Sequence, residues 1–223
     1  MIISRSIFLK CLGVVALTCL VACSSAPPSK DWSNNSFADQ QSAIKYILLG
    51  ENKKSQAAIA QLRKDLSVTA RTDLAAKTEL VLCATEQAAL IMPPCENFEK
   101  LKSDAKPTEL AYAQFLSGQW NSMAIQLLPQ QYQALVQHAQ PESQLASIES
   151  PLSRLIAGSV LLQKKQLSAN GLELMVNTAS NEGWRKPLLA WLSVQLKVFE
   201  QNQDKSAATL VKRRIQMLEQ TLY

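Results

Sequence analysis

Side chains able to do nucleophilic, acid–base or metal chemistry are few in this chain of 223 residues, which holds a single histidine and five cysteines. His138 stands among Gln137, Ala139 and Gln140, just before Pro141, with no nucleophile or acid at a spacing that would build a triad. A surface or helix-capping histidine fits that setting better than a catalytic one. Glu96, Glu99 and Asp104 are too scattered to read as a metal site, and no glycine-rich phosphate loop is present. A glycosidase-type carboxylate pair would have to hide among 18 acidic residues, and no spacing picks one out. The expectation is a chain with no catalytic residue, no metal and no cofactor.

The cysteines fall into two groups, and the first opens a different question. Arg5 and Lys10 precede an apolar run from Cys11 to Ala22 that contains no acidic residue and is too short to cross a bilayer, which takes about 20 residues. The run closes on Leu20-Val21-Ala22-Cys23. This order of positive residues, apolar core, small residues and cysteine resembles the signal peptide and lipobox of bacterial lipoproteins. The resemblance implies that residues 1–22 are removed and that Cys23 is lipidated: a diacylglycerol on its thiol and a further acyl chain on the new amino terminus. Two or more chains anchor a protein stably where one does not. Ser24 follows the cysteine, and in Gram-negative members of the family a residue other than aspartate there implies the outer membrane. The expected location is the inner leaflet of that membrane, facing the periplasm.

Removing residues 1–22 takes away Arg5 and Lys10 and no acidic residue, so the formal net charge falls from +5 to +3. That balance is too weak to imply a nucleic-acid partner. Cys11 and Cys19 leave with the signal and Cys23 is acylated, so Cys83 and Cys95 remain. In an oxidising compartment such a pair reads as a disulfide. A helix carrying Cys83 climbs roughly 12 Å before Met92-Pro93-Pro94, and the few extended residues around the prolines can return that distance. Two buried free thiols and a redox-active pair are the rival readings, the latter disfavoured by a spacing far from Cys-x-x-Cys.

Residues 23–38 are polar, proline-bearing and aperiodic, and are expected to form a lipidated flexible tether to a helical domain at 39–223. Ser36 and Asp39 have the spacing of a capping box. Ala43, Ile44, Ile47 and Leu48 then recur at helical intervals up to Gly50. A second helix carries Ala58, Ile59, Leu62 and Leu66, and a third is expected from about Thr69 to Ile91, stopped by Pro93-Pro94. Pro107 opens a helix through Tyr112, Phe115 and Leu116 to Gly118, and Met123, Ala124, Leu127 and Leu128 are expected on the next, pairing with it as a hairpin. Further helices carry Tyr132, Leu135 and Val136; Leu152, Leu155, Ile156 and Leu162 after the cap Ser150-Pro151; and Leu172, Met175, Val176 and Ala179 after Ser168. Two more carry Leu188, Trp191, Leu192, Leu196 and Phe199, then Val211, Ile215, Leu218 and Leu222. Alternating runs and β-branched clusters are missing and only 6 glycines occur, so the fold class is all-α.

The stretch Tyr112-x-x-Phe115-x-x-Gly118-x-Trp120-x-x-x-Ala124-x-x-Leu127-Leu128-Pro129 resembles the turn and second helix of a tetratricopeptide repeat. Gly50 and Gly118 are also separated by twice the roughly 34-residue period of that family. The register fails at the midpoint, near Ala84, which lies inside a continuous helical pattern. Stacked helical hairpins and an irregular helical bundle are therefore both open.

Two patches are candidate partner-binding surfaces. Trp184 and Arg185, with Lys186 and Pro187, combine an aromatic, cations and a rigid turn, residue types found at binding hot spots. Lys212, Arg213 and Arg214 lie opposite the apolar line of the last helix; a solvated face is the plainer reading of such a run. Taken together these readings imply a lipid-anchored, periplasm-facing interaction scaffold for an envelope assembly, secretion, pilus or cell-wall machine. A pilotin-like chaperone for one outer-membrane subunit is the alternative, and a peptidoglycan- or glycan-active enzyme a more remote one.

Overall fold

A computed structural model of the chain describes residues 31–92 and 94–220. The signal segment, Cys23, Pro93 and Leu222 lie outside the described residues. Among those described, ten α-helices and three short 3-10 turns are joined by brief loops, with no strand. The fold is all-α, as the apolar periodicity predicts.

The helices are α1 (Asp31–Leu49), α2 (Asn52–Ser67), α3 (Thr72–Gln87), the single turn α4 (Glu96–Glu99) and α5 (Pro107–Leu116). They continue with α6 (Gln130–Gln137), α7 (Pro151–Gln163), α8 (Ala169–Asn181), α9 (Arg185–Gln201) and α10 (Lys205–Glu219). Three starts are capped by side chains: Ser150, Ser168 and Asp204 each accept a hydrogen bond from the backbone N–H three residues on. Pro107 and Pro151 occupy first helical positions, where their missing N–H costs nothing.

Three expectations need correction. α1 begins at Asp31, so residues 31–38 of the segment read as tether lie in a helix, and Ser36 is a buried interior position instead of a cap. Ser36 falls seven residues before Ala43 and so shares its buried stripe. α3 stops at Gln87, short of Ile91, because Leu90 turns left-handed (φ 63°) and the N–H groups of Leu90 and Ile91 fold back onto the carbonyls of Gln87 and Glu86. The hairpin expected after Gly118 is absent: residues 119–129 are turns plus one 3-10 turn at Ile125–Leu127. Ser122 is left-handed there, and Pro129 holds Leu128 extended, so too few residues remain between them to nucleate a helix.

A large core joins α3 and α5 to α9 around Phe115, Tyr132, Leu155, Met175 and Trp191. A smaller one, of Ala43, Ile47, Leu62, Leu66 and Leu82, holds α1 and α2 on α3. Consecutive helices pack as hairpins, α1 on α2 and each of α7 to α9 on the next, but α9 also returns against α1, and α7 against α3. Trp191 is fully buried and donates from Nε1 to the Ala88 carbonyl at 3.0 Å, and Arg185 donates to the Leu49 carbonyl at 3.2 Å. These contacts span more than 100 positions of sequence and close the chain into an all-α bundle.

Candidate binding groove beside the disulfide

α2 packs along α1 for most of its length but meets α3 much less, leaving a furrow between α2 and α3. Two cavities lie in it. One, of about 260 Å³, is lined by Ile47, Ile59, Leu82, Ile91, Met92 and Pro94 together with both bridging cysteines. The other, of about 270 Å³, lies toward the α2–α3 turn and is lined by Leu66, Ala70, Ala75 and Leu101. Arg63 and Glu79 line both and separate them: the guanidinium spans the furrow and grips the carboxylate with two hydrogen bonds, 2.6 and 2.8 Å.

The local sequence makes this arrangement regular. On α2 the lining residues Ile59, Arg63 and Leu66 recur at intervals of four and three; on α3 Ala75, Glu79 and Leu82 do the same. Both walls therefore present an apolar residue, a charge and an apolar residue along one helix face, over two turns or roughly 10 Å. Ile91 stands 50% exposed at the rim, one of five exposed large hydrophobic residues among those described. The hydrogen bonds from Arg63 to the Glu79 carboxylate favour the charged guanidinium and raise its pKa above the ordinary value. At the turn end Arg71 makes a similar two-bond grip on Asp73 at 2.7 Å, and that contact holds the Asp73 carboxyl well below the usual carboxylate range.

Cys83 and Cys95 form a disulfide with a Cα–Cα distance of 5.6 Å, closing the loop that carries Ile91 and Met92 onto α3. The bridge therefore fixes one rim of the groove. Arg185 and Trp184 stand at the start of α9, where Trp184 is partly buried and Arg185 faces the α1 terminus and Glu51, 3.9 Å away. Lys186 beside them is paired with Glu86. Lys212 binds Glu200 at 2.8 Å, near the other end of α9, about 22 Å along its axis from Arg185. The two candidate patches are thus separate, and neither adjoins the groove's apolar cavities except through Glu86. Arg213 is exposed and Arg214 half-buried on α10.

His138 is exposed at the end of α6, and no cluster of three or more metal-ligating side chains occurs among the described residues. Neither is any helix there long and apolar enough to cross a membrane. The groove itself was not legible in the sequence, since Ile59 and Leu66 scan as ordinary core positions and Arg63 finds Glu79 on another helix, 16 residues away. No protein-family model, curated protein or solved structure matches this chain.

Proposed function

We propose that this chain is a lipoprotein of the outer membrane, acylated at Cys23 and facing the periplasm. There it serves as an interaction scaffold that holds an amphipathic helical segment of an envelope machine in the α2–α3 groove. The observation that carries the binding half is the pair of cavities set in line along two helices and parted by Arg63–Glu79. Their spacing of roughly two helical turns matches anchors at i and i+7 of a docked helix. A polar residue between those anchors would meet the charged bridge. The Cys83–Cys95 disulfide accords with an oxidising compartment, and the lipobox-like Leu20-Val21-Ala22-Cys23 supports the anchor.

A photo-reactive residue placed at Ile91 or Ala70, with Glu149 as a control on another surface, tests the groove in intact envelopes. The expected result is one envelope protein captured at both groove positions and not at Glu149, through a peptide with apolar residues seven apart. Arg63→Glu sets a carboxylate against Glu79 and should abolish that capture while helicity by circular dichroism is unchanged. Equal capture at Glu149, or capture indifferent to Arg63→Glu, would overturn the reading.

A further inference from the structure

α10 is the last helix of the described residues and its main packing partner is α9. It buries Ala208 and Val211 and half-buries Ile215 and Leu218 along one side. Its other side is unusual in what it shows: Leu210 and Met217, seven residues apart, are 59% and 64% exposed. Arg213 and Arg214 lie between them. At 100° per residue these four side chains span an arc of roughly 100°, with Ser206 inside it and, among the described residues, no carboxylate. Glu219 projects about half a turn away from Leu210 on the helix, and the nearby Glu200 is occupied by Lys212 on the flank. Neither Arg213 nor Arg214 has a carboxylate partner among the described residues.

We infer that this outer face of α10 is a contact surface for an anionic phospholipid bilayer, distinct from the groove and additional to any acyl anchor. The occupant follows from shape and charge together. The face is a convex ridge on a single helix, so it suits a soft planar surface better than a grooved protein. It presents only positive charge, and its apolar residues alternate with arginines whose aliphatic stems can lie along the interface while their guanidinium groups reach phosphate oxygens. Each arginine near an anionic surface strengthens adsorption about fivefold, so the pair contributes roughly 25-fold. A protein hung from the same surface by its amino terminus would then lie with α10 against the lipid, in place of swinging freely.

The full-length purified protein, carrying a spin label at Met217→Cys or, as control, Glu149→Cys, is mixed with phosphatidylcholine vesicles with or without 30% phosphatidylglycerol. The proposal expects the Met217→Cys label to lose access to a water-soluble relaxation agent and gain access to oxygen only with the anionic vesicles. The control label should stay in water. Arg213→Glu with Arg214→Glu, both away from the core, should reverse the change, as should 0.5 M salt. Equal accessibility in both vesicle types would overturn the proposal, as would protection that survives the double charge reversal, or protection seen in envelopes only with a cross-linked protein. Co-sedimentation with neutral vesicles reports the acyl anchor separately, so failure of the anchor and failure of this surface are distinguishable.

Discussion

Six helices end in the same two-bond turn, in which a left-handed residue returns its N–H to the carbonyl three back and its successor reaches five back. Gly50, Gly118 and Gly183 fill three of these positions without steric cost, but Leu90, Lys165 and Gln203 fill the others with side chains (φ 63°, 56° and 58°). A non-glycine residue in that region costs about 1 kcal/mol. Lys165 and Gln203 are exposed, so Lys165→Gly and Gln203→Gly are each expected to stabilise the fold by about 1 kcal/mol, raising the urea midpoint without changing the slope. Leu90 packs on the core, and its replacement by glycine should gain nothing. The buried phenols give a second residue-scale prediction. Burial raises the Tyr132 and Tyr112 phenols above their ordinary value near 10, so the folded state holds those protons more tightly than the unfolded chain. Stability is therefore fully present below about pH 10 and is lost as pH rises beyond it. Tyr112→Phe with Tyr132→Phe should flatten the alkaline fall in melting temperature. Such local devices differ in how visible they are beforehand. Ser150 and Ser168 announce themselves as caps by residue type, whereas Lys165 and Gln203 carry no mark of a left-handed turn.

At the scale of elements, α8 passes close against α7 at Gly158. A Cβ built on Gly158 would stand 2.1 Å from Met175 Sδ and 2.8 Å from its Cγ, and Met175 is fully buried. Alanine would gain up to about 1 kcal/mol of helix propensity there but would force that side chain off its seat, a cost of about 1–3 kcal/mol. Gly158→Ala is expected to destabilise by about 1–2 kcal/mol in denaturant unfolding. The disulfide acts at the same scale: it closes a loop with a sequence separation of 12 between α3 and α4. Cys83→Ala with Cys95→Ala should cost about 3 kcal/mol and loosen the groove rim at Ile91 and Met92, seen as faster amide exchange there. Helix identity was readable wherever apolar periodicity ran uninterrupted, as in α7 to α10. It failed at residues 119–129, where Leu127 and Leu128 have the right types but Pro129 and the turn at Ser122 leave no room for a helix. It failed at the end of α3 as well, where tertiary contacts to Ala88 and the bridge to Cys95 outweigh local propensity.

For the whole molecule, α9 is the strut. Its first two turns bind the ends of α1 and α3 through Arg185, Lys186 and Trp191, and its last turns carry α10. The α2–α3 groove and the α10 face are thus linked through α9, which packs on α1 at one end and carries α10 at the other. Little of this was open to inspection in the sequence, because each contact joins residues about a hundred or more positions apart. What the sequence does carry is the cysteine at position 23 and its setting, on which the proposed placement of the body at a membrane rests. Intact-mass and peptide mass spectrometry of the protein extracted from native envelopes tests that placement most directly. The expected result is an amino-terminal peptide beginning at Cys23 with a diacylglycerol on sulfur and an amide-linked acyl chain, and a tryptic fragment in which Cys83 and Cys95 are linked. An amino terminus at Met1 with an unmodified Cys23 thiol would contradict it.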